Sequence, residues 1–292
     1  MPGLTRILFP IDFSERCTYA APYVAALARR YQSHVLLLNA VEPMPAMYST
    51  GELVVEYLRE LEQSAKSQLA NFGQDAFKGV AVERTVVMGQ PSRSIVDYAV
   101  QNSIDLIVMP THGRGIFREL LMGSVTLQVL HDSNHAVLTT AHSVALPSTT
   151  GDLHSIVCAV DLGPEDLHII ETAYRLAKDY GAALHLVHAV ESLQPTPEFP
   201  IEPELVDAFL DDARQRLEEM QEQCGAKCEL HVHTGDVAII VRKAAIELSA
   251  DLLVIGRGKL HHHFGRLRTH VGALVRESPC PVLSLPEGTT WK

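Results

Sequence analysis

Apolar and polar positions alternate in blocks along this chain. Short runs rich in β-branched and aliphatic residues cover 7–11, 35–41, 82–88, 104–109 and 136–140. Each is five to eight residues long and is bounded by polar or turn-forming residues, as expected of strands. Between them the apolar residues recur at helical spacing. Over Glu52–Phe72 they fall at Leu53, Tyr57, Leu61, Ala65 and Leu69, which predicts a helix with one buried stripe. Near-continuous apolar strands alternating with helices predict a parallel sheet covered on both faces.

The same block pattern occurs twice. RILFPID at 6–12 answers SIVCAVD at 155–161, and VLLLNAVE at 35–42 answers LHLVHAVE at 184–191. Leu27, Ala28 and Tyr31 match Leu176, Ala177 and Tyr180 at the same offset of 149 (12 to 161). Further on, Gly89 matches Gly235 and Asp105 matches Asp251 at 146 (105 to 251), and Ser133 matches Ser278 at 145. A small drift in offset is what loop-length differences between two copies produce. The chain is therefore read as two tandem five-stranded, doubly wound α/β domains of Rossmann-like type, over 1–145 and 152–288. The stretch SVALPSTTGD, rich in Ser, Thr, Pro and Gly, links them. In such sheets ligands bind at the carboxyl ends of the strands, where the strand order reverses.

Chemistry concentrates after the fourth strand of the first copy. Pro110-Thr111-His112-Gly113-Arg114-Gly115 leads to Gly123-Ser124, where a helix is expected to start. Glycine permits close backbone approach, a helix N-terminus offers free N–H groups and partial positive charge, and Ser124 adds a hydroxyl. These are the parts of a phosphate cradle. The bland alternative is a glycine-containing connection before a capped helix. Asp12 follows the first strand, on the expected opposite wall of the same crevice. It has the chemistry to accept from an adenine amino group or a ribose hydroxyl. Its alternative role is to cap the next helix, which Ser14 is equally able to do.

The pattern Pro110-x2-Gly113-x9-Gly123-Ser124, with Asp12 after the first strand, resembles the nucleotide signature of the universal stress protein family. That signature is Gly-x2-Gly-x9-Gly-Ser/Thr. The resemblance extends over both halves and identifies a tandem two-domain member, UspA-like in each copy. It implies binding of an adenine nucleotide, ATP or AMP, with or without magnesium, and a stress-response or regulatory role rather than catalysis. It implies that Asp12 and Val41 flank the adenine and ribose, while Gly113, Gly123, Ser124 and the backbone of Val125 hold the phosphates. Pro10, Met109 and His112 complete the candidate set. Pro110 departs from the family pattern, since proline has no N–H to give.

In the second copy the corresponding loop reads Gly256-Arg257-Gly258-Lys259, then Arg268-Thr269. Lys259 and Arg268 occupy glycine positions. The weaker second-site candidates are Asp161, Val190, Gly256, Gly258, Lys259, Arg268 and Thr269. Such a loop either grips an anion by charge or is a decayed site kept for packing. His261, His262 and His263 are adjacent in sequence and read as a solvated loop rather than metal ligands. The resemblance also implies that the two domains pair within one chain; the sequence does not decide between a single tandem and a homodimer of tandems.

Composition narrows the alternatives. Apolar residues make up 47% and charged residues 20% of the 292, enough for substantial cores. The net charge of −11 argues against general nucleic-acid or membrane-surface binding. No signal peptide or membrane span is expected, and five scattered cysteines suit a reducing cytoplasm. Cys224 and Cys228 are four apart, a spacing that would bring them to one face if both lay on a helix, but they lack the partners of a metal site. No Walker-type loop, Ser-Gly-Gly loop or His-x-Gly-His pair is present, and no general base is evident. The remaining alternatives are an interaction scaffold that binds no nucleotide, and a slow ATPase or a protein phosphorylated on Ser124.

Overall fold

A computed structural model describes backbone and side chains of residues 3–43, 54–111, 123–140, 152–190, 204–257 and 271–288. At residues 52–53, 203 and 266–270 it describes the backbone alone. The chain divides into two compact units, one running to Thr140 and the other starting at Asp152.

The first unit contains β1 (Arg6–Pro10), α1 (Glu15–Tyr31), β2 (His34–Val41), α2 (Glu52–Asn71) and β3 (Val82–Met88). It continues with α3 (Pro91–Gln101), β4 (Leu106–Pro110), α4 (Ser124–Asp132) and β5 (Ala136–Thr140). Its strands lie in the order β3-β2-β1-β4-β5, and every pairing is parallel. The second unit repeats the plan. It holds β6 (Ser155–Ala159), α5 (Asp166–Tyr180), β7 (Ala183–Val190), α6 (Pro203–Cys224) and β8 (Glu229–Thr234). After these come α7 (Val237–Glu247), β9 (Leu252–Arg257), α8 (Arg266–Glu277) and β10 (Val282–Pro286). The order is β10-β9-β6-β7-β8, again all parallel.

The ten strands and the α/β class agree with the reading of the sequence. In each unit the order reverses beside the first strand, so the crevice opens at the carboxyl ends of β1 and β4, and of β6 and β9. Consecutive buried residues explain why alternation is absent from the inner strands. Ile7, Leu8 and Phe9 are all fully buried, as are Ile156, Val157 and Cys158, because helices cover both faces. The edge strands β3 and β8 are only partly buried.

Local chemistry explains the element ends. Ser14 caps α1 by accepting from the Cys17 amide at 3.3 Å. The last turn of α2 has no basic residue of its own, and Arg84 of β3 supplies the charge. Its Nε and Nη2 donate to the carbonyls of Leu69 and Phe72 at 3.0 and 3.2 Å. Cys224 is the last residue of α6, so Cys228 lies beyond the helix. The helical spacing that would bring these two thiols to one face is not realised, and Gly225, at φ 58°, ends that helix.

One tie recurs in both units. The Asp105 carboxylate, just before β4, accepts from the Thr5 amide, the Thr5 hydroxyl and the Arg6 amide at 2.7–2.8 Å. Asp251, just before β9, accepts from the amides of His154 and Ser155 at 2.7 and 3.0 Å. These bonds set where the fourth strand begins against the first. Asp105→Ala removes three charge-assisted bonds from the first unit and is expected to destabilise it by about 2–4 kcal/mol. Asp251→Ala is expected to lower the second unit alone. Urea unfolding followed by hydrogen exchange, which reports each unit separately, checks both outcomes.

Candidate functional site

At the carboxyl end of β1 the chain turns sharply. Ile11 continues the ladder by donating to the Leu38 carbonyl at 2.7 Å. Phe13 then takes a left-handed conformation, φ 59°, unusual for a bulky residue. The Asp12 carboxylate holds the turn: Oδ1 accepts from the Ser14 amide at 2.9 Å and from the Cys17 thiol at 3.1 Å. Asp12 therefore braces the turn while Ser14 caps the helix. Among the described residues no donor reaches its second oxygen. Burial first, then the Asp12 charge, pushes the Cys17 thiol up to about 12, so it serves as a neutral donor rather than a nucleophile. The Phe13 and Phe9 rings meet Phe72 edge-on at 6.4 and 6.3 Å, fixing the end of α2 over this turn.

The opposite wall is the start of α4, and it is tied to the end of β4. The Gly123 amide donates to the Thr111 carbonyl at 2.9 Å, and the Thr126 hydroxyl donates to the Pro110 carbonyl at 3.1 Å. The Thr111 hydroxyl reaches the Thr140 carbonyl on β5. Gly123 is the N-cap, and no side chain bonds the first amides of the helix. The N–H groups of Ser124 and Val125 and the exposed Ser124 hydroxyl thus have no partner among the described residues. Met109 and Pro10 are buried strand ends. Val41 is half-buried, its carbonyl engaged by the Gly89 amide at 2.9 Å. His112 and Gly113 lie outside the described residues.

Thr126 was not singled out from the sequence, although its hydroxyl locks the helix to the strand. Asn39 was also missed. Its Nδ2 donates to the Ile11 carbonyl at 2.7 Å, while its Oδ1 is buried without a donor among the described residues. A polar residue inside an otherwise apolar strand was the available signal.

The second crevice has the same backbone and different chemistry. Leu162 repeats the left-handed residue, φ 65°. Here the bracing carboxylate comes from the helix: Asp166, almost fully buried, accepts from the amides of Asp161 and Gly163 at 2.8 and 2.9 Å. Asp166 stands at the counterpart of Cys17, and it does the work that Asp12 does in the first unit. His188 replaces Asn39, and its Nδ1 donates to the Val160 carbonyl at 2.8 Å. Val190 is half-buried, with its carbonyl engaged by Gly235. Arg257 is buried at the end of β9, and burial draws its guanidinium down to about 10. Gly258, Lys259 and the three consecutive histidines lie outside the described residues. Arg268 and Thr269 fall in the first turn of α8, their side chains outside the described set.

Gly256 has a packing reason. A Cβ there would sit 2.3 Å from Cδ1 of Ile169. The first copy accepts Pro110 at this position, and the residue matching Ile169 is Ala20. Gly256→Ala is expected to cost the second unit about 1–3 kcal/mol, and much less in an Ile169→Ala background. Thermal unfolding of the double-mutant cycle measures that coupling.

His188 yields a pH prediction. Burial foremost, then Arg216, lowers its pKa below the ordinary 6.5, against the Val160 hydrogen bond. The unfolded chain therefore binds the proton more readily. Stability from this residue is present above pH 6.5 and is lost as pH falls from there through the folded pKa, at up to about 1.4 kcal/mol per pH unit. His188→Asn, which copies Asn39, is expected to flatten this part of the acid limb in urea titrations at pH 5–7.

Comparison with known proteins agrees with this architecture. The sequence model of the Universal stress protein family matches residues 3–140 and again 153–286. Universal stress protein MJ0577 of Methanocaldococcus jannaschii is 30% identical over 149 residues, covering 46% of this chain and 92% of that protein. Universal stress protein Mb2028c of Mycobacterium bovis is 35% identical over 142 residues, covering 49% of this chain and 47% of the relative. The crystal structure of a universal stress protein from Archaeoglobus fulgidus superposes with a TM-score of 0.72 at 21% identity. That match covers 97% of this chain and 98% of the other, and it concerns the fold. Among the described residues no helix is long and apolar enough to cross a membrane. With the repeat, the parallel sheets and both halves matched, the chain belongs to the universal stress protein family, as a tandem of two such domains.

Proposed function

We propose that the first unit binds an adenine nucleotide, ATP or AMP, in the crevice between the β1 turn and the start of α4, and that this occupancy serves a regulatory role in the stress response. The observation carrying the reading is the anchored, uncapped start of α4. Its amides at Ser124 and Val125 have no partner among the described residues, and the strands leading to it and to Asp12, β4 and β1, are neighbours in the sheet. Amide donors and the helix dipole favour phosphate oxygens. The unengaged oxygen of Asp12 and the buried Oδ1 of Asn39 supply acceptors for the amino and hydroxyl groups of a nucleoside. Pro110 keeps one role in this site through its carbonyl, which accepts from Thr126 and anchors α4. Gly113 and His112 belong to the same proposed site through the family pattern, and magnesium would accompany a triphosphate.

The second crevice is proposed not to take a nucleotide in the same way. Its bracing carboxylate sits on the helix, and a buried guanidinium replaces Thr111 at the strand end.

The test is nucleotide content and ligand-linked stability. Acid extracts of the purified chain are expected to contain adenylate, and added ATP with magnesium is expected to raise the melting temperature with concentration. Gly123→Arg, which copies Arg268, is expected to abolish that rise. Asp12→Asn, which keeps a side-chain oxygen for the turn, is expected to weaken binding about tenfold or more. No extracted nucleotide and no stabilisation at millimolar ATP would sink the reading and leave the tandem as an interaction scaffold.

A further inference from the structure

On the outer strands of the second unit, away from the crevice residues, two imidazoles and a carboxylate converge. The β7–β8 register sets His185 beside Glu229 and Val187 beside His231. Residues two apart on a strand share a face, so His185, Glu229 and His231 meet on one side of the sheet. His185 Nδ1 lies 3.2 Å from His231 Nε2 and 3.4 Å from Glu229 Oε2, and His231 Nε2 lies 3.9 Å from the same oxygen.

We propose that His185, Glu229 and His231 form a binding site for a divalent transition metal of the zinc class. Three donor atoms with those separations have a common centre about 2.05 Å from each (the circumradius of a triangle with sides 3.2, 3.4 and 3.9 Å). Zinc binds imidazole nitrogen at roughly 2.0–2.1 Å and carboxylate oxygen at roughly 2.0–2.2 Å, so an ion slightly above that plane meets all three without moving a strand. Two imidazoles and one carboxylate are a borderline-soft donor set, suited to zinc or its neighbours rather than to calcium or magnesium. Water takes the fourth position. His185 is buried, His231 partly so, and the Glu229 side chain is 73% exposed, which gives the ion a route in from solvent. Burial first, then His185, holds His231 below its ordinary pKa, so it stands in the neutral form that ligates. The nearby charge of Arg214 opposes a cation, and the Glu229 carboxylate offsets it.

The first unit is a built-in comparison. The equivalent register pairs there are Leu36 with Glu83 and Leu38 with Thr85. The carboxylate is present but both imidazoles are absent, and the Thr85 hydroxyl instead meets Tyr98 Oη at 3.1 Å. Ala244 stands where Tyr98 does, so that hydroxyl contact has no counterpart in the second unit. The second copy alone thus acquired two ring nitrogens at ligand spacing. A simple N–H···N bond between the rings explains their contact but not the carboxylate closing the triangle.

The experiment is zinc binding to the full, chelator-stripped chain, measured by competition with a chromophoric chelator, with cobalt(II) absorption as the report of tetrahedral coordination. The expected result is one ion per chain. His185→Leu and His231→Thr copy the first unit and so should fold, as circular dichroism in the presence of chelator would verify. Each is expected to weaken binding by more than the roughly 10–100-fold that loss of an outer-shell partner costs. Glu229→Gln is expected to weaken it with no change in fold. Replacing His261, His262 and His263 together by Ser should leave binding intact. Failure of the stripped chain to bind zinc above the His185→Leu/His231→Thr background would overturn the proposal. So would binding that persists in that double variant, or that is lost with the three consecutive histidines.

Discussion

Each half depends on a carboxylate at the turn that follows its first strand. The parallel sheet forces the chain to leave β1 or β6 abruptly and climb into a helix. That exit holds a bulky residue, Phe13 or Leu162, in the left-handed region. Such a conformation costs on the order of 1–3 kcal/mol and persists only where its surroundings over-determine it. The turn also points backbone amides inward, where an unmet donor costs about as much again. One carboxylate meets them. In the first half it comes from the strand side, as Asp12, and leaves one oxygen toward the crevice. In the second it comes from the helix, as Asp166, and is almost fully buried. The fold accepts either solution, and the site differs between them.

Other pairs of positions show the same substitution of one physical solution for another. Asn39 and His188 both send a side-chain donor to the carbonyl that follows the first strand. Where β9 approaches α5, Gly256 makes room for Ile169. In the first half the corresponding residues are Pro110 and Ala20. The Pro110 carbonyl anchors α4 through Thr126.

Much of the fold was legible because the strands are buried on both faces and therefore read as apolar blocks. The repeat then supplied a second reading of every element. Fixed offsets placed Asp105 and Asp251 together, and these turned out to tie the same two strands in each half. Gly123 and Ser124 were legible as a helix start because glycine and a hydroxyl residue precede an apolar period. What stayed hidden were bonds across register. Thr126 to Pro110, Asp166 to the turn before it, and His185 to His231 join residues whose proximity depends on strand pairing or helix docking. Periodicity carries no trace of them. Asp161 looked like the counterpart of Asp12 because it aligns with it, yet it is the Asp161 amide that the bracing carboxylate engages. Cys224 and Cys228 looked paired by spacing, but Gly225 ends the helix between them.

Matching positions of the two halves therefore carry different chemistry on one backbone. A single domain that binds a ligand must keep both the bracing of its turn and the chemistry of its crevice in one set of residues. What the fold itself requires in either half is the bracing. In the second half Asp166 supplies it from the helix, and Asp161 contributes its amide. A buried Arg257 stands at the strand end there, where the first half has Thr111. The outer strands differ in the same manner. Leu36 and Thr85 of the first half serve packing and a tyrosine contact, whereas His185 and His231 bring two ring nitrogens within 3.2 Å beside a carboxylate.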